Sequence, residues 1–296
     1  MLEIIRNSKI WFIVSGVIVA AGILATIIYG LNLGVDFKGG SLSEVKFAAA
    51  SPSAQDIITA LSEKGITAVS VQRSEAGTFN IRTHELSQEQ HQAMLSALRE
   101  KFGEASEERY TNIGPTISSE IKRRAFYQLL LVSLGILAYI AWAFRRVPKP
   151  LSSWRFGWAA VIALVHDLFV VIGVFAILGK FLHVEIDALF VTALLTVLGF
   201  SVHDTIVVFD RIRENLRRLS GLKFDQVVER SINQTIVRSI NTSSTVVFVL
   251  LALLLFGGES IKYFVVALLV GVVAGTYSSI FIASPLLYLF HKKRFV

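Results

Sequence analysis

The sequence predicts an α-helical polytopic membrane protein with six transmembrane helices and a small extracytoplasmic α+β domain between helices 1 and 2. Three observations carry that expectation. Of 296 residues, 53% are hydrophobic and 17% charged, and the mean hydropathy is +0.61, too apolar for an ordinary soluble domain. The apolar residues gather into six runs that approach the roughly 20 residues a spanning helix needs. After the first run, by contrast, about 95 residues alternate between strand and helix periodicity with mixed polarity.

The six runs cover about 10–29, 126–144, 157–178, 187–209, 236–256 and 262–284. The first exceeds a signal-peptide core and lacks a small-residue cleavage pattern before Tyr29 and Gly30, so a retained anchor is expected rather than a cleaved leader. Orientation follows from Lys and Arg near the span ends. Arg6 and Lys9, then Arg145, Arg146, Lys149 and Arg155, then Arg211, Arg213, Arg217, Arg218, Lys223 and Arg230, then Lys292, Lys293 and Arg294 all fall on one side. The loops 179–187 and 256–260 opposite them are nearly free of such charge, which predicts cytoplasmic N- and C-termini. Arg123 and Arg124 depart from the pattern, but they end a long segment, and long segments translocate largely regardless of charge. The net charge of +7 is thereby explained by membrane orientation, and no nucleic-acid partner is expected. Cysteine is absent, so neither a disulfide framework nor a thiolate metal site is available.

Three segments follow: 1–29, a first transmembrane helix; 30–125, the extracytoplasmic domain; and 126–296, helices 2–6. Within 30–125, SLSEVKFA alternates like a strand, and PSAQDIITALSEKG reads as a helix closed by Gly65. ITAVSVQR and GTFNIRTH are strand-like and broken at Ala76 and Gly77. SQEQHQAMLSALREKFG opens like a capped helix on Ser87, and SEERYTNIG supplies a last strand. The order β-α-β-β-α-β is that of a ferredoxin-like unit. Such a unit is compatible with a working domain and with a passive spacer alike.

The fourth run, LGFSVHDTIVVFDRIREN, contains the candidate site. An Asp at a helix centre costs roughly 2.5–3.5 kcal/mol on insertion scales, so an acid there calls for a function and a partner. Asp204 lies about five residues, or roughly 8 Å, inside the predicted cytoplasmic end. Arg238 enters the fifth run at comparable depth, and Asn241, Thr242 and Thr245 continue its helical face. His166 and Asp167 in the third run lie near the same level. A carboxyl removed from water tends to hold its proton and a guanidinium beside it favours the ion, so motion of one past the other can switch an acid. A static buried ion pair is the competing reading of Asp204 and Arg238. His203 lies about 100° round the helix from Asp204, which favours a structural role over a proton relay.

Lesser features have simpler readings. The string VHD recurs at Val165–Asp167 and Val202–Asp204 on helices of opposite direction, a coincidence rather than a repeat. Neither copy offers the i+4 second ligand of a zinc helix, so no metal is expected. Gly271 and Gly275 provide small-residue spacing for close helix packing. The stretch 211–232 carries apolar Ile212, Leu216, Leu219, Phe224, Val227 and Val228 around Gly221, which predicts two short amphipathic helices against the inner leaflet and membrane lipids.

LNLGVDFKGGS after the first run, GFSVHDTIVVFDRIRENLR in the fourth, and INQTIVRSINTSSTVV followed by LFGGESIKYF together resemble the SecF branch of the SecD/SecF family, related to the resistance-nodulation-division exporters. The resemblance covers essentially the whole chain; Lys38 stands where the family frequently has Thr. It implies a non-enzymatic accessory subunit of the Sec protein translocase, without cofactor, in the bacterial cytoplasmic (inner) membrane. The implied partners are SecD, the SecYEG channel and the translocating preprotein, and the implied work is coupling of proton flow to late-stage export. The family's intramembrane acid falls on Asp204 and its essential arginine on Arg238. Asp36 sits in the family's GVDFKGG motif, where a turn-forming role serves equally well. The alternative is a subunit of a proton-driven lipid or small-molecule exporter of the same superfamily.

Overall fold

In a computed structural model of the chain, the residues described are 3–48, 51–74, 77–148, 152–219 and 221–292. Ala76, Lys149, Lys293 and Arg294, used above for a strand break and for orientation, lie outside them. The chain forms two compact units, one of Leu33–Ala125 and one of Met1–Asn32 with Phe126–Val296.

Among the described residues, six helices are long and apolar enough to cross a membrane. They are α1 (Ser8–Tyr29), α5 (Pro115–Ala143), α6 (Ser153–Phe181), α7 (Ala188–Arg218), α8 (Phe224–Phe256) and a sixth, Glu259–Lys292. The sixth is α9 (Glu259–Ser278), a π-helical turn at Ser279–Ala283, and α10 (Ser284–Lys292). The protein is therefore a multi-pass membrane protein. About half of the apolar stretch is buried in α6 (44%), α7 (50%) and the sixth span (56%), against 17% in α1, α5 and α8. The first three thus form the centre of the bundle and the others its flanks.

Small residues set that centre. A Cβ on Gly275 would stand 2.8 Å from Ser201 Cβ, and one on Gly271 would strike the Val197 side chain, so α7 and α9 meet almost backbone to backbone. Gly22 of α1 and Gly173 of α6 approach each other in the same way, each lacking room for a methyl group. At one end, the rings of Phe144, Phe156 and Phe209 pack at 4.9–6.1 Å. Beside them Ile4 and Ile5 are buried, with their backbone N–H groups donating to the two carboxylate oxygens of Glu229 at 2.6 and 2.8 Å.

The stretch 211–232 corrects the sequence reading. Its two amphipathic segments are not separate surface helices. The first is the end of α7 and the second the start of α8, separated only by the turn around Gly221. Asn215 explains the continuity: its amide donates to Ser231 Oγ and Gln234 Oε1, both at 2.8 Å, joining the two extensions through the polar groups of their facing sides.

The smaller unit is built as α2 (Val35–Lys38), β1 (Gly40–Phe47), α3 (Ala54–Ser62), β2 (Ala68–Arg73), β3 (Phe79–Thr83), α4 (Gln88–Phe102) and β4 (Ala105–Ile113). Its sheet is antiparallel in the order β2-β3-β1-β4. Val45, Phe47, Phe79 and Ile81 on one sheet face bury against Ile57 and Leu61 of α3 and Met94 and Leu98 of α4. Both helices open on capping boxes, Ser53 with Asp56 and Ser87 with Gln90. Gly39, which follows α2, and Gly40, the first residue of β1, have φ of 78° and 110°, and a side chain at Gly40 would meet the Thr83 carbonyl at 2.5 Å. Only glycine fits that turn.

Two outcomes follow from this packing. Gly173→Ala forces a methyl group into the α1 backbone and is expected to destabilise the chain by about 1–3 kcal/mol, read as a lower thermal midpoint in detergent. Gly16→Ala, which points into open space, should leave it unchanged. In α3, the Ser53 hydroxyl and backbone N–H hold the exposed Asp56 carboxyl below the usual aspartate range. A depressed folded pKa stabilises above the ordinary value and stops doing so as pH falls through the folded one. Hydrogen exchange in the first turn of α3 should therefore accelerate, relative to mid-helix amides, as pH drops below about 4, and Ser53→Ala, which leaves only the backbone N–H on Asp56, should weaken that pH dependence.

Candidate functional site

The centre of the bundle holds two carboxyl groups in different settings. Asp167, on α6, is fully buried. Its Oδ1 lies 3.0 Å from His166 Nδ1, and its Oδ2 accepts from Ser201 Oγ of α7 at 2.6 Å and Ser278 Oγ of α9 at 2.8 Å. The glycine-mediated approach of α7 to α9 lets both hydroxyls reach the same oxygen. Further along the same seam Thr205 Oγ1 and Ser279 Oγ share a hydrogen bond of 2.8 Å, and Ser279 Oγ also donates to the carbonyls of Ser201 and Gly275. The π-turn begins at Ser279.

Asp204 lies one helical turn beyond Ser201 on α7 and is 5% exposed. Its Oδ1 accepts from Ser239 Oγ of α8 at 2.6 Å. Its Oδ2 is buried and has no hydrogen-bond partner among the described residues. One carboxyl thus receives donors from three helices, and the other is half satisfied.

The neighbour of Ser239 is Arg238, which is exposed on α8, as are Asn241, Thr242 and Thr245. Among the described residues no ion pair joins Arg238 to Asp204. His203 is likewise exposed on α7, together with Thr192, Thr196 and Gly199 at helical spacing. Two polar stripes therefore occupy the outer faces of adjacent spans. Asp36 belongs to the smaller unit, in the first turn of α2. His166 is buried, with its Nε2 lacking a partner among the described residues and its ring 6.1 Å from that of Tyr277. No cluster of three or more His, Cys, Asp or Glu suited to a metal ion occurs among the described residues.

Sequence reasoning singled out both acids and Arg238, but not the serines that bind the acids. Ser239 adjoins the expected arginine, and one residue on a helix is a rotation of about 100°. Ser201 stands three residues before Asp204, a spacing that places it on the same side of α7 and was a usable signal.

Residues 93–293 match the family described as protein export membrane protein SecD/SecF, C-terminal, and residues 25–50 match the SecD/SecF GG motif. The chain is 46% identical over its whole length to the protein translocase subunit SecF of Thermobaculum terrenum, covering 96% of that protein. It is 40% identical to the SecF subunit of Anaerolinea thermophila over 96% of this chain and 92% of that one. The crystal structure of SecDF, a translocon-associated membrane protein from Thermus thermophilus, superposes over 98% of this chain with a TM-score of 0.84 and 32% identity. This chain spans 39% of the length of that one. A second SecDF structure, in a super-membrane-facing form, gives a TM-score of 0.71 over 99% of this chain at 31% identity. On the length and identity of these matches, the chain belongs to the SecD/SecF family of protein-export membrane proteins.

Proposed function

We propose that this chain is an accessory subunit of the Sec protein translocase that couples proton flow across the bacterial inner membrane to late-stage export of polypeptides, and that it is not an enzyme. One observation carries the coupling: Asp204 is buried in a spanning helix with only one oxygen hydrogen-bonded, while Arg238 waits one residue from its serine partner on the neighbouring helix. A carboxyl so placed can take up a proton on the bare oxygen. A carboxylate there requires a countercharge, which a turn of α8 or a second polytopic subunit can supply. Asp204 is the proton carrier and Arg238 its charge partner.

The names of the relatives support SecD as the other half, and the polar stripes of α7 and α8 support an interface with it. Within that interface Thr242 and His203 face the partner rather than lipid. The SecYEG channel and the emerging preprotein complete the assembly. The unit 30–125 is read as a ferredoxin-like extracytoplasmic domain, supported by its strand order β2-β3-β1-β4 and its place between the first and second spans. Both termini are cytoplasmic on the distribution of Lys and Arg. Asp167 and His166 act as a fixed polar knot that positions α7, and Asp36 belongs to the turn that starts the external domain.

Replacing Asp204 by Asn tests the coupling in inverted vesicles that carry the chain and its partner. The variant should assemble normally, and the part of export that depends on the proton gradient should fall to the level of vesicles without the chain. Retention of that part would defeat the proposal, and changed drug resistance without a secretion defect would favour an exporter. The two acids should also differ in what their removal costs. Asp167→Leu abandons several donors and Asp204→Leu only Ser239, at on the order of 1–3 kcal/mol for each donor left without an acceptor. Thermal unfolding in detergent should therefore show the larger loss for Asp167.

A further inference from the structure

The end of α7 carries a feature that proton coupling does not use. Asp210, Arg213, Glu214, Arg217 and Arg218 line a cleft of about 380 Å³. Its charges are unbalanced. Arg213 pairs with Asp210, but Glu214 is shared between Arg218, at 3.0 Å, and Arg211. Among the described residues, Arg217 pairs with no carboxylate; it donates to the Arg146 carbonyl at 3.0 Å, which brings the α5–α6 turn against the cleft. On that side Arg145 lies 4.5 Å over the Trp142 ring and Arg213 lies 5.6 Å over Phe144.

The level of the cleft follows from the apolar run 187–209, which ends just before Asp210: at 1.5 Å per residue the Cα atoms of Arg213, Arg217 and Arg218 fall roughly 6–14 Å past the end of that run, within reach of lipid headgroups for long side chains. Trp142, Trp154 and Trp158, at this end of α5 and α6, are each more than half exposed, as expected of residues at a membrane interface. The lining residues all belong to α7, with the α5–α6 turn beside them through Arg217; arginine forks match phosphate oxygens, and basic clusters at this level attract anionic headgroups.

We infer that this cleft binds the phosphate of an anionic phospholipid headgroup, held by Arg213, Arg217 and Arg218 with the acyl chains lying along α5 past Trp142. The inference does not rest on the proposed proton chemistry. Native mass spectrometry of the delipidated full chain, titrated separately with cardiolipin, phosphatidylglycerol, phosphatidylcholine and inorganic phosphate, tests it. The wild type should retain the two anionic lipids and not phosphatidylcholine. R213Q/R217Q/R218Q should lose anionic-lipid affinity by about fivefold per arginine, and Arg217→Lys, which keeps the charge but not the fork, should lose less than Arg217→Gln. An unchanged thermal midpoint in neutral detergent shows that the triple variant is folded; if it is not, the Arg217→Lys and Arg217→Gln comparison decides. Equal retention of anionic lipid by wild type and variants would overturn the inference, as would binding of inorganic phosphate as tight as that of the lipids.

Discussion

Hydrocarbon supplies no hydrogen bonds, so a polar side chain carried into the bundle depends on partners within the protein, on its own helix or a neighbouring one. The hydrogen bonds on Asp167 show what this requires. Three hydrogen-bond partners reach a single fully buried side chain, and two of them, the Ser201 and Ser278 hydroxyls, donate to one oxygen. They converge because Gly271 and Gly275 leave α9 nothing that would hold it away from α7. The π-helical turn continues the same economy of contact, placing Ser279 where its hydroxyl reaches both Thr205 and the α7 backbone. Small residues, hydroxyls and one acid thus define how α6, α7 and α9 sit together.

Asp204 belongs to the same helix and is the same residue type, yet its surroundings give it the opposite character. It stands where the packed centre gives way to α8, most of whose apolar stretch is unburied. One of its oxygens is on Ser239 and the other has no partner among the described residues, whereas both oxygens of Asp167 are hydrogen-bonded. The distinction is one of partner count. Both acids are buried and both cost free energy to bury, but loss of Asp204 from its place would leave one hydroxyl without an acceptor and loss of Asp167 would leave more.

Much of this was legible in the chain. The spans follow from hydropathy because a bilayer imposes a minimum length, and the strands and helices of the smaller unit follow from alternation and from Ser53 and Ser87, whose capping boxes both form. Asp204 stood out because charge in an apolar run is rare. The rest depends on angles that sequence spacing does not fix. That Ser239 rather than Arg238 turns toward Asp204 depends on the rotation of α8 about its axis, which is set by packing contacts such as Ser243 with Thr276. The extension of α7 and α8 beyond the apolar runs was misread as separate surface helices, because amphipathic periodicity is the same whether a helix lies on a membrane or continues out of it. The capture of the Ile4 and Ile5 amides by Glu229 left no local trace, since its partners are more than two hundred residues apart.

These angles also define what a switch at Asp204 has to do. Bringing Arg238 to the position that Ser239 holds requires α8 to rotate by about 100°, or its side chain to reach around the helix by as much. Rotation would break the Ser239 bond to Asp204 and the Ser243 bond to Thr276. At the other end of α8 it would strain Glu229 against the N-terminal segment and Gln234 against Asn215. The first two are single hydroxyl contacts, each worth on the order of 1 kcal/mol within a membrane. The last two are multiple and reinforced by buried Ile4, Ile5, Val228 and Ile232. Twisting is therefore cheaper in the membrane-embedded part of α8 than in its extension. In the proposed coupling, a carboxyl gaining or losing a proton would act on the part held by single hydroxyls, with the end beside Glu229 and Asn215 as the more firmly held point.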